Sequence, residues 1–497
     1  MSRDAAYAGS KPALILACSI VLGFLFDYLV FGHLVGIGFT FFIASVIAGY
    51  LLLSSYARHS VPRDLYWLLP LALFFAAVPA FRANELLMVL NGLATLGTLL
   101  LSLEVSSRGK VATMALFDFL ALLIPFKLVD PLITTISAAI SGVSAGRDTA
   151  RSRQIVRGIA ITVPVLVVFV ILFSSADAIF NSYITRFLDF DIEPETFVRI
   201  ALSTVTALVA CAAYAYALAR SEPSTGRYSV SGKAGLIETG ILLGSVNALF
   251  LIFIVIQAQY LFGGESNVLE AGMTYAEYGR RGFFELIGIA ALSFLILVAV
   301  EKLIERSAER HTSAFRFLGT LLVVQVGVIM ISAFVRLALY EDAYGFTTLR
   351  LYSHAFIIFL AFFYASLLYK ILQNGSEEAF ALRTFLTIAV FVGAMSLFNP
   401  DAFIAQKNLA RYTATGKLDS EYMRTLSADA SHVLVQLLDA PDEEHRRNIG
   451  ERLARRLQIE QRPWQGWNYA REQERVLLEA NANKLVPFSQ LSSVSEL

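Results

Sequence analysis

The sequence predicts an all-α, polytopic integral membrane protein with about eleven transmembrane helices and a small helical tail on the extracytoplasmic side. Three observations predict it. Of the 497 residues 56% are hydrophobic and only 16% charged, where soluble domains carry about 25% charged residues. The apolar residues come in blocks such as "PALILACSIVLGFLFDYLVF" and "ETGILLGSVNALFLIFIVIQAQYLF", and these reach the roughly 20 residues that a helix needs to cross a bilayer. Beyond residue 398 the long apolar runs stop and charge of both signs appears.

Taken in order, spans are expected at 12–31, 34–54, 65–81, 84–103, 157–177, 195–219, 236–262, 282–304, 316–340, 347–369 and 380–398. Between the fourth and fifth lies "VATMALFDFLALLIPFKLVDPLITTISAAISGV", which carries Asp118, Lys127 and Asp130 and is interrupted by Pro125 and Pro131. Proline removes a helical hydrogen bond, so this stretch is expected as a re-entrant or interfacial pair of short helices. The chain then divides into a four-helix part (1–110), the re-entrant segment with a basic loop (111–156), a seven-helix core (157–398) and the tail (399–497). "ILAC" before Ser19 resembles a lipoprotein cleavage box, but the apolar run continues past Cys18, so the first helix is read as uncleaved.

Orientation follows from where Lys and Arg fall. Alternate connections hold Arg58 and Arg63, Arg108 and Lys110, then Arg147, Arg151, Arg153 and Arg157. The same set continues with Arg220, Arg227 and Lys233, and with Lys302, Arg306 and Arg310. The other set is acidic or nearly neutral, as in "LDFDIEPE" (Leu188 to Glu195). The positive-inside rule therefore places the N-terminus in the cytoplasm and, with an odd number of spans, the tail outside.

In the tail, "LDSEYMRTLSADASHVLVQLL" opens with a cap at Asp419. "APDEEHRRNIGERLARRLQIE" sets acids before bases, the order that a helix dipole favours. Trp464 and Trp467 in "RPWQGWNYA" either anchor the tail at the membrane interface or pack in its own core.

Several function classes are excluded. The net charge is zero with no basic block, so no nucleic-acid partner is expected. Cys18 and Cys211 both sit in apolar runs, without a disulfide framework or a CxxC spacing. Walker A, GxSxG and dinucleotide fingerprints are absent, as is a cytoplasmic domain large enough for an ATPase. No cofactor is expected and no metal site, His33 and His354 being isolated without HxxxH or HExxH spacing.

The informative polar residues lie at the expected outer ends of spans. "MTYAEYGRRGFFEL" (Met273 to Leu286) opens with a capping box, Thr274 with Glu277. Tyr275, Tyr278, Arg281 and Glu285 share one helix face, with Arg280 beside them. Gln257 and Tyr260 close the preceding span. Arg336 and Tyr340 close the ninth, and "YEDAYGFTTLR" leads onward through Tyr344, Thr347 and Arg350 to His354. An arginine inside a span needs a partner, and Glu285, at similar depth, is the first choice for Arg336. After span eleven, Asn399 and Pro400 break the helix, and Asp401 is expected to cap a new one carrying Asn408 and Arg411. Two readings stand: an amphipathic collar at the water line, or one outward-facing vestibule roofed by the tail. Asn91, Asn247 and Gln325 are expected to hydrogen-bond between helices. Asp27 reads as a proton or cation site, or as an acid reaching the interface.

"FNPDAFIAQKNLARY" (Phe398 to Tyr412), the Leu418–Leu438 stretch that follows it, "MTYAEYGRRGFFEL" and "YEDAYGFTTLRL" together resemble an uncharacterised bacterial family of polytopic membrane proteins, known as a domain of unknown function. The resemblance covers roughly 235–437. It implies a bacterial inner-membrane location and supplies no substrate, reaction or catalytic residue.

Three functions are compatible with these residues. The first is binding, transport or flipping of an anionic or sugar-bearing amphiphile such as a lipid headgroup. Its site comprises Tyr275, Tyr278, Arg280, Arg281, Glu285, Arg336, Tyr340, Tyr344, Arg350, Asn399, Asp401 and Asn408, with arginines on the anion and tyrosines stacking. The second is a membrane transferase on a lipid-linked donor, with Asp401 or Glu277 as base. The third is a non-catalytic sensor or assembly subunit whose tail binds an envelope protein partner. A water path near Asn247 and Gln325 marks transport, clustered open acids mark an enzyme, and a vestibule filled by its own side chains marks an assembly subunit.

Overall fold

The computed structural model describes residues 12–114, 126–143, 194–219, 236–262, 283–303, 309–458 and 463–489. Their regular structure is entirely helical. The apolar runs form α1 (Pro12–Leu29), α2 (Ile37–Tyr56), α3 (Leu65–Phe81), α4 (Glu85–Arg108), α5 (Phe126–Val143) and α6 (Pro194–Leu218). They continue as α7 (Leu236–Phe262), α8 (Phe283–Leu303), α9 (Glu309–Tyr344), α10 (Thr348–Gln373) and α11 (Glu377–Phe398). Among the described residues eight helices are long and apolar enough to cross a membrane, and α3 and α8 contribute shorter apolar stretches. The chain is a multi-pass membrane protein. The span expected at 157–177 lies outside the described residues, and eight is the number of candidate spans among the described residues.

Two helix groups make the bundle. In one, α1 lies along α6, which also touches α4 and α5, while α2 and α3 pack in sequence. Close approach explains the α1–α6 seam: a Cβ on Gly23 would sit 2.7 Å from the Ser203 carbonyl oxygen. Gly49 leaves room for the Tyr214 hydroxyl, which donates to the Val46 carbonyl at 2.7 Å. In the other group α9 is central, flanked by α7, α8 and α10, with Leu297, Leu322, Leu367 and Phe380 fully enclosed. The groups meet where α3 and α4 touch α11, α3 through Phe75 against Ala389 and Val392 and α4 through Asn91, whose amide reaches Ser396 Oγ at 2.8 Å.

Two amide side chains inside the bundle donate between helices, where no water can accept. Asn247 Nδ2 donates to the Leu318 carbonyl at 3.1 Å, and Gln325 Nε2 to the Asn247 carbonyl at 3.1 Å, joining α7 to α9. Asp27 pairs with Arg199 across α1 and α6, which makes it a structural partner at a helix end.

Two expectations change. Pro131 lies inside α5 and does not end it, while Pro125 lies outside the described residues. His354 is not isolated: its Nδ1 lies 3.2 Å from Glu341 on the neighbouring α9, a cross-helix partner that ligand spacing along one chain segment does not reveal.

The tail continues as α12 (Pro400–Thr415), α13 (Ser420–Met423), α14 (Ser431–Leu434), α15 (Glu443–Leu457), α16 (Tyr469–Ala480) and α17 (Ala482–Ser489). It has its own core of Ile404, Met423, Leu434, Leu437, Ile449, Leu453, Leu478 and Leu485. Asp419 caps α13, as expected, accepting from Tyr422 N–H at 2.9 Å. Asp442 caps α15, whose first turn is acidic and last turn basic.

Candidate functional site

The tail sits on one end of the bundle and is bonded to three inter-helix turns there. The centre is the α3–α4 turn. Asn84 caps α4 by accepting from Leu87 N–H at 2.9 Å. The same side chain donates through Nδ2 to Asp401 Oδ1 at 2.8 Å, and Asp401 Oδ2 accepts from Ser427 N–H at 3.0 Å. Asp429 Oδ2 accepts from the N–H groups of Ala83 at 2.7 Å and Asn84 at 3.1 Å, so a tail carboxylate lies at the positive start of α4. Tyr352 completes the cluster, its hydroxyl 3.3 Å from Asn84 Oδ1.

Arg82 ties a third strand of chain into this junction. Its Nε and Nη2 each donate at 2.9 Å, to the carbonyls of Ser396 and Leu397, acceptors that the end of α11 leaves without helical partners. Its Nη1 lies 3.7 Å from Asp429 Oδ1. Asn468, the cap of α16, donates to the carbonyls of Pro79 and Arg82, both at 2.8 Å. Burial raises the Asp429 carboxyl above the ordinary aspartate range, and the Ala83 hydrogen bond, Arg82 and Ser427 oppose that rise without cancelling it.

The α9–α10 turn is held next. Asn408 exchanges two hydrogen bonds with the backbone of Phe346, donating to its carbonyl at 2.8 Å and accepting from its N–H at 2.9 Å. Gly345 makes this possible: its φ is +82°, and a Cβ there would meet Asn408 Oδ1 at 2.7 Å. Arg411 donates to the Ala343 carbonyl at 2.8 Å, and the Tyr422 hydroxyl accepts from Thr348 N–H. The α1–α2 turn is the third. Ile37 N–H donates to the Trp467 carbonyl at 3.0 Å and Gln465 Nε2 to the Tyr28 carbonyl at 3.2 Å, where Gly36 lets the two backbones touch.

The residues nominated from the sequence fall into three sets. Tyr275, Tyr278, Arg280 and Arg281 lie outside the described residues, and Glu285 is on α8 with its side chain outside them, so the expected Glu285–Arg336 pair lies there too. Arg336, Tyr340, Tyr344 and Arg350 share the α9–α10 hairpin. The Arg350 guanidinium lies over the Tyr340 ring at 4.0 Å and donates to the Gly345 carbonyl, with the Tyr344 ring 5.2 Å from that of Tyr340. Asn399, Asp401 and Asn408 come together under the tail. Asn399, not Asp401, is the cap of α12: its φ of +56° ends α11 and its side chain accepts from Ala402 N–H at 3.2 Å. Asp401, one position past Pro400, turns instead toward Asn84.

Sequence reasoning missed Arg82, Asn84, Asp429 and Asn468. "RANELL" and "WNYARE" do carry Asn at cap positions. Nothing in either stretch names a partner in a distant segment. In the tail, a groove of about 330 Å³ runs between α12 and α14, lined by Gln406, Leu409, Ala410, Thr413, His432 and Gln436 among others.

A family model described as "Domain of unknown function (DUF4153)" matches residues 69–437. The match begins within α3 and takes in Asn84, Asp401 and Asp429 but stops before Trp467 and Asn468. No curated protein and no solved structure matches the chain.

Proposed function

The chain belongs to the family of this domain of unknown function, DUF4153, and from the geometry of the tail we propose a non-catalytic role: a multi-pass membrane protein that holds a helical domain over one end of its bundle as the docking platform of an envelope assembly. On the orientation that the positive-inside rule supplies, the platform is extracytoplasmic and the bundle lies in the bacterial inner membrane. One observation supports this reading above the others. The carboxylate nominated as a base is bonded to the protein itself, Asp401 being 2% exposed with both oxygens occupied. A general base needs an open lone pair at the reacting proton.

A photo-crosslinking residue at Thr413 or Gln436, on the rim of the groove, tests the proposal in native membranes. The expected result is a discrete adduct with one protein, lost when Asn84→Ala loosens the platform. An absence of adduct, together with a bound amphiphile in native mass spectra that Arg350→Ala removes, overturns it.

A second reading, headgroup binding, draws on one specific feature: Arg350 stacked on Tyr340 beside Tyr344, which is 47% exposed. Tyr275, Tyr278, Arg280, Arg281, Glu285 and Arg336 complete that candidate set.

A further inference from the structure

We propose that the tail is itself a lipid-contacting element, seated in the headgroup region of the outer leaflet through Trp464, Trp467 and Tyr469. These side chains are 48%, 39% and 49% exposed although they belong to a segment pinned to the bundle. Trp and Tyr concentrate where hydrocarbon gives way to headgroups, because each has an apolar ring and a polar edge.

Their neighbours fix the occupant. The Trp464 ring packs 6.2 Å from Tyr28 and 6.1 Å from Phe41, and Tyr469 packs 6.4 Å from Phe81. Those three partners stand on the membrane helices α1, α2 and α3 within a turn or so of their ends, and they are themselves 55%, 47% and 54% exposed. The apolar outer surface of the spans thus runs without a break onto the tail. A surface continuous with the lipid-facing sides of three helices is covered by lipid. The backbone supports the depth: Gly36 and Gly38 let Gln465, Gly466 and Trp467 lie against the α1–α2 turn, so the segment sits at the level of the helix ends and not above them. This inference rests on the membrane-spanning bundle and not on the docking-platform reading.

The chain has three tryptophans, which makes the test direct. Trp67, at the start of α3 against Phe385, serves as the contrast. The double variant W67F/W467F, reconstituted in phosphatidylcholine vesicles, isolates Trp464. Its emission is expected to be blue-shifted and to lose more intensity to lipid brominated near the carbonyl end of the acyl chain than to lipid brominated near the terminal methyl. Loss of emission to aqueous iodide with none to either bromolipid overturns the proposal in favour of a water-exposed segment. Resistance to all three quenchers overturns it in favour of a protein partner or a second copy. If the variant does not fold, the unmutated chain labelled with 5-fluorotryptophan gives the same answer: a headgroup nitroxide lipid should broaden the Trp464 and Trp467 resonances, and their staying sharp excludes lipid contact.

Discussion

Asn84 donates its side-chain amide to Asp401 across 317 residues of chain, at 2.8 Å, while the carbonyl oxygen of the same side chain caps α4. Two functions of one amide are lost together in Asn84→Ala. The cap is worth about 1 kcal/mol, and a buried acceptor left without its donor costs about 1–3 kcal/mol. The variant is therefore expected to loosen the tail by about 2–4 kcal/mol. Hydrogen exchange of α12 and of the Ala428–Ala430 turn should rise while the core of α9 stays protected; equal protection in variant and wild type would sink the idea of a lock.

Asp429 gives the junction a pH dependence of definite sign. Its carboxyl titrates above the ordinary aspartate value because burial outweighs the hydrogen bonds it receives. The docked form therefore binds the proton more tightly than the undocked form, and this group's contribution is fully present below the ordinary value and is lost as pH rises through the raised one. Docking should tighten toward mild acid. Asp429→Asn keeps an acceptor for the Ala83 and Asn84 N–H groups and removes the charge, so it should flatten the slope; Asp429→Ala should weaken docking at every pH. Protease nicking of the tail, followed as pH rises from the ordinary aspartate range, reads all three, and a slope in the opposite direction rejects the assignment.

Asn408 and Gly345 form a coupled pair at the second turn. Asn408→Asp keeps the acceptor for Phe346 N–H and replaces the donor to its carbonyl with an oxygen, for a loss of about 1–3 kcal/mol. Gly345→Ala forces a side chain into the left-handed region, at about 1–2 kcal/mol, and crowds Asn408 as well. Because both act on one contact, the double variant should cost less than the sum of the singles. Thermal unfolding midpoints of the purified protein measure the cycle, and strict additivity would separate the two residues.

The bundle was legible because the length of an apolar run is a local property, and hydrocarbon leaves a chain little choice but helix. Asn91, Asn247 and Gln325 were legible for a related reason: a polar amide at depth must find a partner between helices. What was not legible was which partner. Asn84 and Asp429 each read locally as turn or cap residues, and only the tertiary arrangement joins them to segments hundreds of positions away. Asp401 reads as a cap because it follows Asn-Pro, but Asn399 can adopt the left-handed conformation and takes the cap two residues earlier, freeing Asp401 for the junction. His354 read as isolated because metal spacing is a pattern along one segment, and its carboxylate partner Glu341 lies on the next helix of the hairpin.

At the opposite end of the bundle from the tail, Lys370 meets Glu301 at 2.6 Å with its ammonium 5.2 Å from the Phe380 ring centre. The Lys370 side chain is 5% exposed and that of Glu301 14%, so the two charges are screened little by water. Removing one partner of a buried pair costs about 3–5 kcal/mol, because the remaining charge stays out of water, while removing both is often neutral. Glu301→Met alone, which leaves the Lys370 ammonium buried without this carboxylate, should therefore destabilise α8 and α10 markedly, and adding Lys370→Met should recover much of the loss. Unfolding midpoints for the two singles and the double form the cycle. A double variant no more stable than Glu301→Met would mean that the aliphatic stem of Lys370 against Phe380, not its charge, holds these helices together.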